Sequence, residues 1–355
     1  MPTPKFILGF LILLPVVSLP LSQPAPAQTR EFVFTSAPFA SAHASTLVEL
    51  KGGNYLAAWF GGSVEGAADV AIWSSRRTPS GWSKPEELAR EPNVATWNPV
   101  LFHAANGRLW LYYKFGPSYT WWTAARRYSD DEGATWSAIE HLPAGILGPI
   151  RAKPLVLASG LIVSGSSVES YSSWAAWVER STDNGETWSK AGPITLPALR
   201  SAPQAASPKE AVNPIGIIQP VIVSLGPDHL RLYARSTPQI GKICVADSYD
   251  LGKTWSDARP ISLPNPNAGI DLVRLHDGRI VLIYNDSASQ RTPLNLAVSL
   301  DGEHFKNFAT LEDAPGEFSY PAIVEGSDRA LHFTYTYNRK SIRYGTYPEA
   351  KIPTD

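Results

Sequence analysis

The 355 residues carry 32 acidic against 31 basic side chains, a net charge of −1, which excludes the basic footprint of a nucleic-acid binder. Only 18% of the residues are charged while 11% are aromatic, with 12 Trp, 31 Pro and a single Met, a balance that suits strands and loops rather than helices. One cysteine, Cys244, excludes an intramolecular disulfide, so packing alone must hold the fold.

The chain opens like an export signal. Lys5 gives a positive start, Phe6 to Leu21 is apolar, and Ala25-Pro26-Ala27 is a small-residue cleavage site. Residues 1–27 are therefore expected to be a signal peptide, and the mature protein is expected to start near Gln28 and to be periplasmic or extracellular. No second long apolar run follows, so no membrane span is expected in the mature chain.

From there short apolar runs follow in threes. The first unit offers Ser45–Leu50, Tyr55–Phe60 and Asp69–Trp73; the second Asn98–Phe102, Leu109–Lys114 and Trp122–Tyr128. The third offers Pro154–Leu157, Leu161–Ser164 and Trp174–Arg180; the fourth Gln219–Ser224, Leu230–Arg235 and Ile243–Asp247. The fifth offers Ile270–Leu275, Ile280–Asn285 and Leu294–Val298; the sixth Tyr320–Val324, Leu331–Tyr337 and Ile342–Tyr347. The stretch Leu199–Pro214, rich in Ala, Ser and Pro, reads as an irregular insert before the fourth unit.

A box S-x-D-x-G-x-T-W closes three of these units, at Ser129–Trp136, Ser181–Trp188 and Ser248–Trp255. Worn copies stand at Ser299–Phe305 and Ser74–Trp82. The Asp can accept bonds from the turn's own N–H groups, the Gly can take positive φ, and the Trp is an apolar anchor. The box is thus a structural clasp on a hairpin. A strand follows each box, as in Trp136–Leu142 and Trp255–Leu263. Four strands in each of six units predict an all-β, six-bladed β-propeller forming one domain, 28–355. The sixth unit lacks a box and a last strand, and Glu31–Thr35 is expected to supply that strand and close the ring.

In a propeller the starts of the first strands and the ends of the second strands meet at one mouth. The starts give His43, Asn98, Arg151, Lys153, Gln219, Asp271 and Tyr320. The ends give Glu65, Lys114, Glu169, Arg235, Arg291 and Arg339. Converging guanidinium groups suit a carboxylate, so the expected partner is an anionic carbohydrate. Trp59, Tyr119, Trp121 and Trp122 are candidates for stacking on sugar faces. No spacing of His, Cys, Asp or Glu marks a metal site, and no cofactor is expected.

These boxes and strands resemble the sialidase superfamily, in particular its BNR or Asp-box members, over nearly the whole mature chain. The resemblance implies a six-bladed propeller, an arginine triad, a Tyr nucleophile with a Glu partner, and an Asp acid/base. Arg235, in Leu232-Tyr233-Ala234-Arg235-Ser236, and Arg291, in Arg291-Thr292-Pro293-Leu294, match the second and third triad arginines. Tyr320, in Phe318-Ser319-Tyr320-Pro321, matches the nucleophile. His43 stands where the first arginine belongs, and Gln219 where the Glu belongs. In the loop Gly61–Asp69, Glu65 is the substitute for the acid/base, while Asp69 reads as structural. A Gln cannot accept the phenolic proton, which leaves Glu169, Asp271 or Glu317 as alternatives. The implied function is an exported exo-glycosidase of sialidase type releasing a terminal acidic sugar. One alternative is a uronate-directed lyase or rhamnosidase using His43, and another is a non-catalytic binder of anionic glycans.

Overall fold

The computed structural model describes residues 1–2, 29–200 and 214–354. The expected signal segment lies almost wholly outside the described residues, as does most of the Leu199–Pro214 insert; a short helix, Pro197–Arg200, leads into it.

Six antiparallel blades follow one another along the chain. Blade one is Ser41–Leu50, Asn54–Gly62 and Ala71–Thr78, with Glu86–Ala89 outermost. Blade two is Thr96–His103, Leu109–Phe115, Thr123–Ser129 and Glu140–His141. Blade three is Leu155–Val156, Ile162–Glu169, Ser173–Ser181 and Ser189–Ile194. Blade four is Ile215–Ser224, Leu230–Ser236, Lys242–Ser248 and Arg259–Pro264. Blade five is Asp271–Arg274, Ile280–Asn285, Leu294–Ser299 and Lys306–Glu312. Blade six is Phe318–Glu325, Ala330–Tyr337 and Ser341–Pro348, completed by Thr29–Phe32 from the start of the chain. The closing strand thus begins two residues earlier than the sequence implies, because Thr29 pairs with Thr346 and Phe32 with Arg343. Its direction continues past the strand through the Val33 N–H, which donates to Ile342 at 2.9 Å.

The first strand of blade one packs on the first strands of blades two and six, and that of blade five on those of four and six. Apolar residues fill the seams between blades. Leu56 and Ile72 of blade one meet Leu109 and Leu111 of blade two, and Val163 and Val178 of blade three meet Leu230 and Leu232 of blade four. Alternating burial along each strand is therefore used twice, once for each neighbouring blade, as expected of sheets with both faces covered.

The boxes are clasps between blades. In the second, Ser181 Oγ donates to Asp183 at 2.7 Å, and Asp183 accepts from the Thr187 N–H at 2.9 Å and from Thr187 Oγ1 at 2.6 Å. The boxes at Ser129 and Ser248 repeat these bonds. Asn184 and Gly185 take φ of 60° and 95°, the left-handed pair that this tight turn requires. The turn then presents its carbonyls to the preceding blade: Tyr112 Oη donates to Gly185 O at 2.6 Å and Trp110 Nε1 to Asn184 O at 2.7 Å. The copy at Ser299 is one residue short yet keeps the clasp. Asp301 accepts the His304 N–H at 2.9 Å and the His304 ring at 2.7 Å, and Tyr233 Oη donates to Gly302 O at 2.6 Å. The copy at Ser74–Trp82 is not a box. Its residues are the end of the third strand of blade one and a hairpin to Gly81–Trp82.

Candidate functional site

Four first strands carry the same irregularity. Pairing shifts by one residue between His43 and Thr46, Trp97 and Val100, Ile218 and Val221, and Ser319 and Ala322. At each bulge one non-glycine residue takes positive φ: Ala44 at 57°, Asn98 at 39°, Gln219 at 53° and Tyr320 at 50°. A bulge re-aims a side chain, and left-handed backbone at a non-glycine is strained, so such positions gather at functional sites. Asn98, Gln219 and Tyr320 are each followed by proline, and all three face one cleft of about 220 Å³.

Three arginines share that cleft: Arg235, Arg291 and Arg339. Arg235, at the end of the second strand of blade four, is buried. Its Nε and Nη2 donate to Asn267 Oδ1 at 3.1 and 2.6 Å, and its Nη1 donates to Gln219 Oε1 at 3.0 Å and to the hydroxyl of Tyr320. Arg291 donates to Glu317 at 2.7 Å and to Asn267 O at 3.3 Å. Arg339 donates through Nε to both Glu317 oxygens, at 3.0 and 2.9 Å, and through Nη1 to Glu65. Burial alone would lower the Arg339 pKa, but the Glu317 bond and the Glu65 charge raise it above the usual guanidinium range. Burial likewise works against the Glu317 charge, yet Arg339 and Arg291 hold its carboxyl below the ordinary range. The mouth is thus an alternating ladder, Glu65–Arg339–Glu317–Arg291, rather than the bare cationic funnel that the sequence implies.

Glu169 closes the opposite wall. It ends the second strand of blade three, paired with Trp174, and lines the cleft beside Trp122, Trp174 and Tyr119. Its Oε1 is buried with no hydrogen-bond partner among the described residues. Burial pushes its carboxyl up to about 7, against the opposing pull of Arg235.

Several expected site residues stand elsewhere. Lys114 does not reach the mouth: it is fully buried between blades, donates to Pro149 O, and burial pulls its ammonium down to about 7. Lys153 turns away to Asp271, at 2.9 Å, and to Leu272 O, at 2.9 Å. Asp271 spends its oxygens on Lys153 and on the Leu272 and Ile323 N–H groups, at 3.0 and 2.9 Å, which stitches blade five to blade six. Arg151 lies beneath the cleft, donating to Ile270 O and Pro321 O, with its guanidinium 5.4 Å from the Tyr320 ring centre. His43 also packs below the cleft, its ring centre 4.2 Å from that of Tyr320. Burial, and then the charges of Arg339, Arg291, Arg151 and Arg235, pull its pKa well below the usual 6.5, so the imidazole is neutral. Trp59 is a core residue, stacked on Phe34 at 4.9 Å. Asp69 accepts from the Ser63 N–H and Oγ at 2.9 and 2.8 Å, which folds the loop that carries Glu65.

Trp97, which lines the cleft, and two further residues were not foreseen. Trp174 places its ring 5.9 Å from the Arg235 guanidinium carbon, and Asn267 holds Arg235 and Arg291 together. Nothing in the local pattern marks them. The X-Pro steps at Asn98, Gln219 and Tyr320 were the one legible signal for the bulges.

A family model described as BNR repeat-like domain matches residues 53–333. No curated protein matches the sequence. Among solved structures, a Dyadobacter fermentans protein of unknown function is similar at 14% identity and TM-score 0.73, covering 89% of this chain and 97% of that one. A Hadza microbial sialidase is similar at 17% identity and TM-score 0.71, covering 88% of this chain and 66% of that one. NanB sialidase from Streptococcus pneumoniae is similar at 14% identity and TM-score 0.70, covering 94% and 72%. At these identities the likeness is one of fold.

Proposed function

The chain belongs to the BNR repeat-like domain family, and from that premise we propose that it is a sialidase-type glycosidase releasing a terminal acidic sugar from glycans. One observation carries the reading: Arg235, Arg291 and Arg339 face a single cleft in which the Arg235 guanidinium also binds the hydroxyl of Tyr320. Guanidinium groups recognise a carboxylate by paired N–H donors, and the phenol beside them is a nucleophile of the kind that sialidases use in place of a carboxylate.

In this reading the sugar carboxylate docks on the three arginines and displaces Glu65 from Arg339. Tyr320 attacks the anomeric carbon from below. Glu65, freed from its guanidinium, takes a proton from solvent and passes it to the leaving oxygen, and water then releases the sugar from the tyrosine. His43 props the Tyr320 ring as a neutral imidazole. A role for His43 as acid or base on a uronate has no support, because its ring lies under Tyr320 and outside the cleft lining. Export through residues 1–27 belongs to the same proposal and supplies access to extracellular glycans.

The test is to incubate the full chain with an aryl α-sialoside and, in parallel, with a rhamnosyl-glucuronate oligosaccharide. Aglycone release that disappears in Tyr320→Phe supports the reading. Rhamnose release or an unsaturated uronate lost in His43→Ala overturns it in favour of the uronate class. Silence toward both, with acidic glycans still bound, leaves a binding propeller.

A further inference from the structure

Tyr320 needs a base. A neutral phenol is a weak nucleophile, and attack on carbon must be accompanied by loss of its proton. Resting on the sialidase-type reading above, the carboxyl groups around the cleft can be taken in turn. Glu317 accepts from Arg291, from Arg339 and, at 2.9 Å, from Ser319 Oγ. Glu65 accepts from Arg339. Asp271 lies outside the cleft lining, bound to Lys153 and backbone amides. Gln219 shares Nη1 of Arg235 with the phenol, but a neutral amide takes up no proton at ordinary pH.

Glu169 differs from all of these. It lines the same small cleft as Tyr320, and its Oε1 is buried with no partner among the described residues. The wall around it is made of Trp122 and Trp174, whose indole N–H groups are likewise buried without partners. A buried, unpartnered carboxyl is costly, and such groups in clefts are where chemistry is done. The cation acting on it is Arg235, which also donates to the Tyr320 hydroxyl, so one guanidinium acts on both groups.

We propose that Glu169 is the general base that takes the phenolic proton of Tyr320. As the Tyr320 oxygen bonds to the anomeric carbon, its proton passes to the Glu169 carboxylate. The bond from that carbon to the leaving oxygen breaks with its electron pair, and that oxygen takes the proton of Glu65. In the second half a water oxygen bonds to the anomeric carbon, and the water gives one proton to Glu65. The tyrosine–carbon bond breaks, and the phenolate recovers its proton from Glu169. Burial of the Glu169 carboxyl, which pushes it up to about 7, fits both directions of transfer near neutral pH.

The experiment measures kcat/KM for the full chain, Glu169→Gln, Glu169→Asp, Glu65→Gln and Tyr320→Phe, each on a 4-nitrophenyl and on a methyl α-sialoside. A base acts on the nucleophile, so Glu169→Gln should lose roughly 10²–10⁴-fold on both substrates. An acid acts on the leaving group, so Glu65→Gln should be slow only on the methyl glycoside. Glu169→Gln should also lose the acidic limb of the pH profile near pH 7 and still bind free sialic acid by calorimetry like the unaltered chain, whereas Glu169→Asp should recover part of the rate. Activity of Glu169→Gln within about 3-fold of the unaltered chain, or its recovery with the nitrophenyl leaving group alone, overturns the assignment while leaving the sialidase-type reading standing. An unaltered chain silent on both glycosides overturns that reading and this assignment together.

Discussion

Glu169→Gln carries a stability prediction that needs no substrate. The Glu169 carboxyl moves from an ordinary 4.5 to about 7 because burial disfavours its charge. An acid with a raised folded pKa adds stability that is fully present below the unfolded pKa and is lost as pH rises through the folded one. The window is therefore pH 4.5 to 7. About 2.5 pH units at ~1.36 kcal/mol each make the charged carboxylate cost the fold about 3 kcal/mol above pH 7. Glutamine is isosteric and never charged, so the variant should match the unaltered chain at pH 4.5 and exceed it by about 3 kcal/mol at pH 8. Urea unfolding followed by tryptophan fluorescence at pH 4.5, 6 and 8 measures this, and the difference between the two proteins cancels every titration that they share. A difference that stays flat with pH would refute the reasoning, since it would mean that the carboxyl keeps its hydration in the folded state. A variant that gains stability and loses activity would show the trade expected when a functional site holds a destabilised group.

Other perturbations follow from the same geometry. Glu65→Gln should bind free sialic acid a few-fold more tightly, because an internal competitor for Arg339 is gone. The gain should be absent in an Arg339→Ala background, since a half-exposed ion pair is worth up to ~1 kcal/mol, and a calorimetric double-mutant cycle reads both. Lys114→Met should gain stability over the unaltered chain, most fully below pH 7 and by less as pH rises from about 7 towards the free lysine value of 10.5. Below pH 7 the buried ammonium, pulled down to about 7, must charge without a paired carboxylate, and urea midpoints at pH 6 and 9 decide it. Gly302→Ala should destabilise by roughly 1–3 kcal/mol: φ is +73° and a Cβ would stand 2.7 Å from Tyr233 Oη, which the clasp needs in place. A melting temperature unchanged in that variant would mean that the shortened clasp at Ser299 carries no load.

Local chemistry wrote much of the architecture openly. Apolar runs of strand length, and a Ser–Asp–Gly–Thr–Trp box whose groups bond within a few residues of one another, gave the all-β class, six units and the clasped hairpins. The starting strand that completes blade six was also visible, to within two residues at its start and three at its end, because the last unit lacks a fourth strand. Proline follows the strained residue at three of the four bulges, a trace in the sequence that acquires meaning only from the pairing shifts of the folded strands. Arg235, Arg291, Arg339, Tyr320, Gln219, Asn98 and Glu65 do share one cleft, as the order of strands implied.

What the sequence left open was which charge meets which. Lys114 and Asp271 stand at strand ends expected to face the mouth, and Arg151 and Lys153 in the bend before the short strand Leu155–Val156, yet each turns to a carbonyl, an amide or a counter-charge within the ring. The difference lies in the pairing register and in the bulge, and a one-residue slip sends a side chain to the other face. The Glu65–Arg339–Glu317–Arg291 ladder joins residues up to 274 positions apart, so no spacing along the chain could display it. Glu169 was readable as an acid near the mouth. That it is buried, unpartnered and beside Arg235 depends on six blades closing around one axis, because burial and charge belong to the space between blades and to no single stretch of sequence.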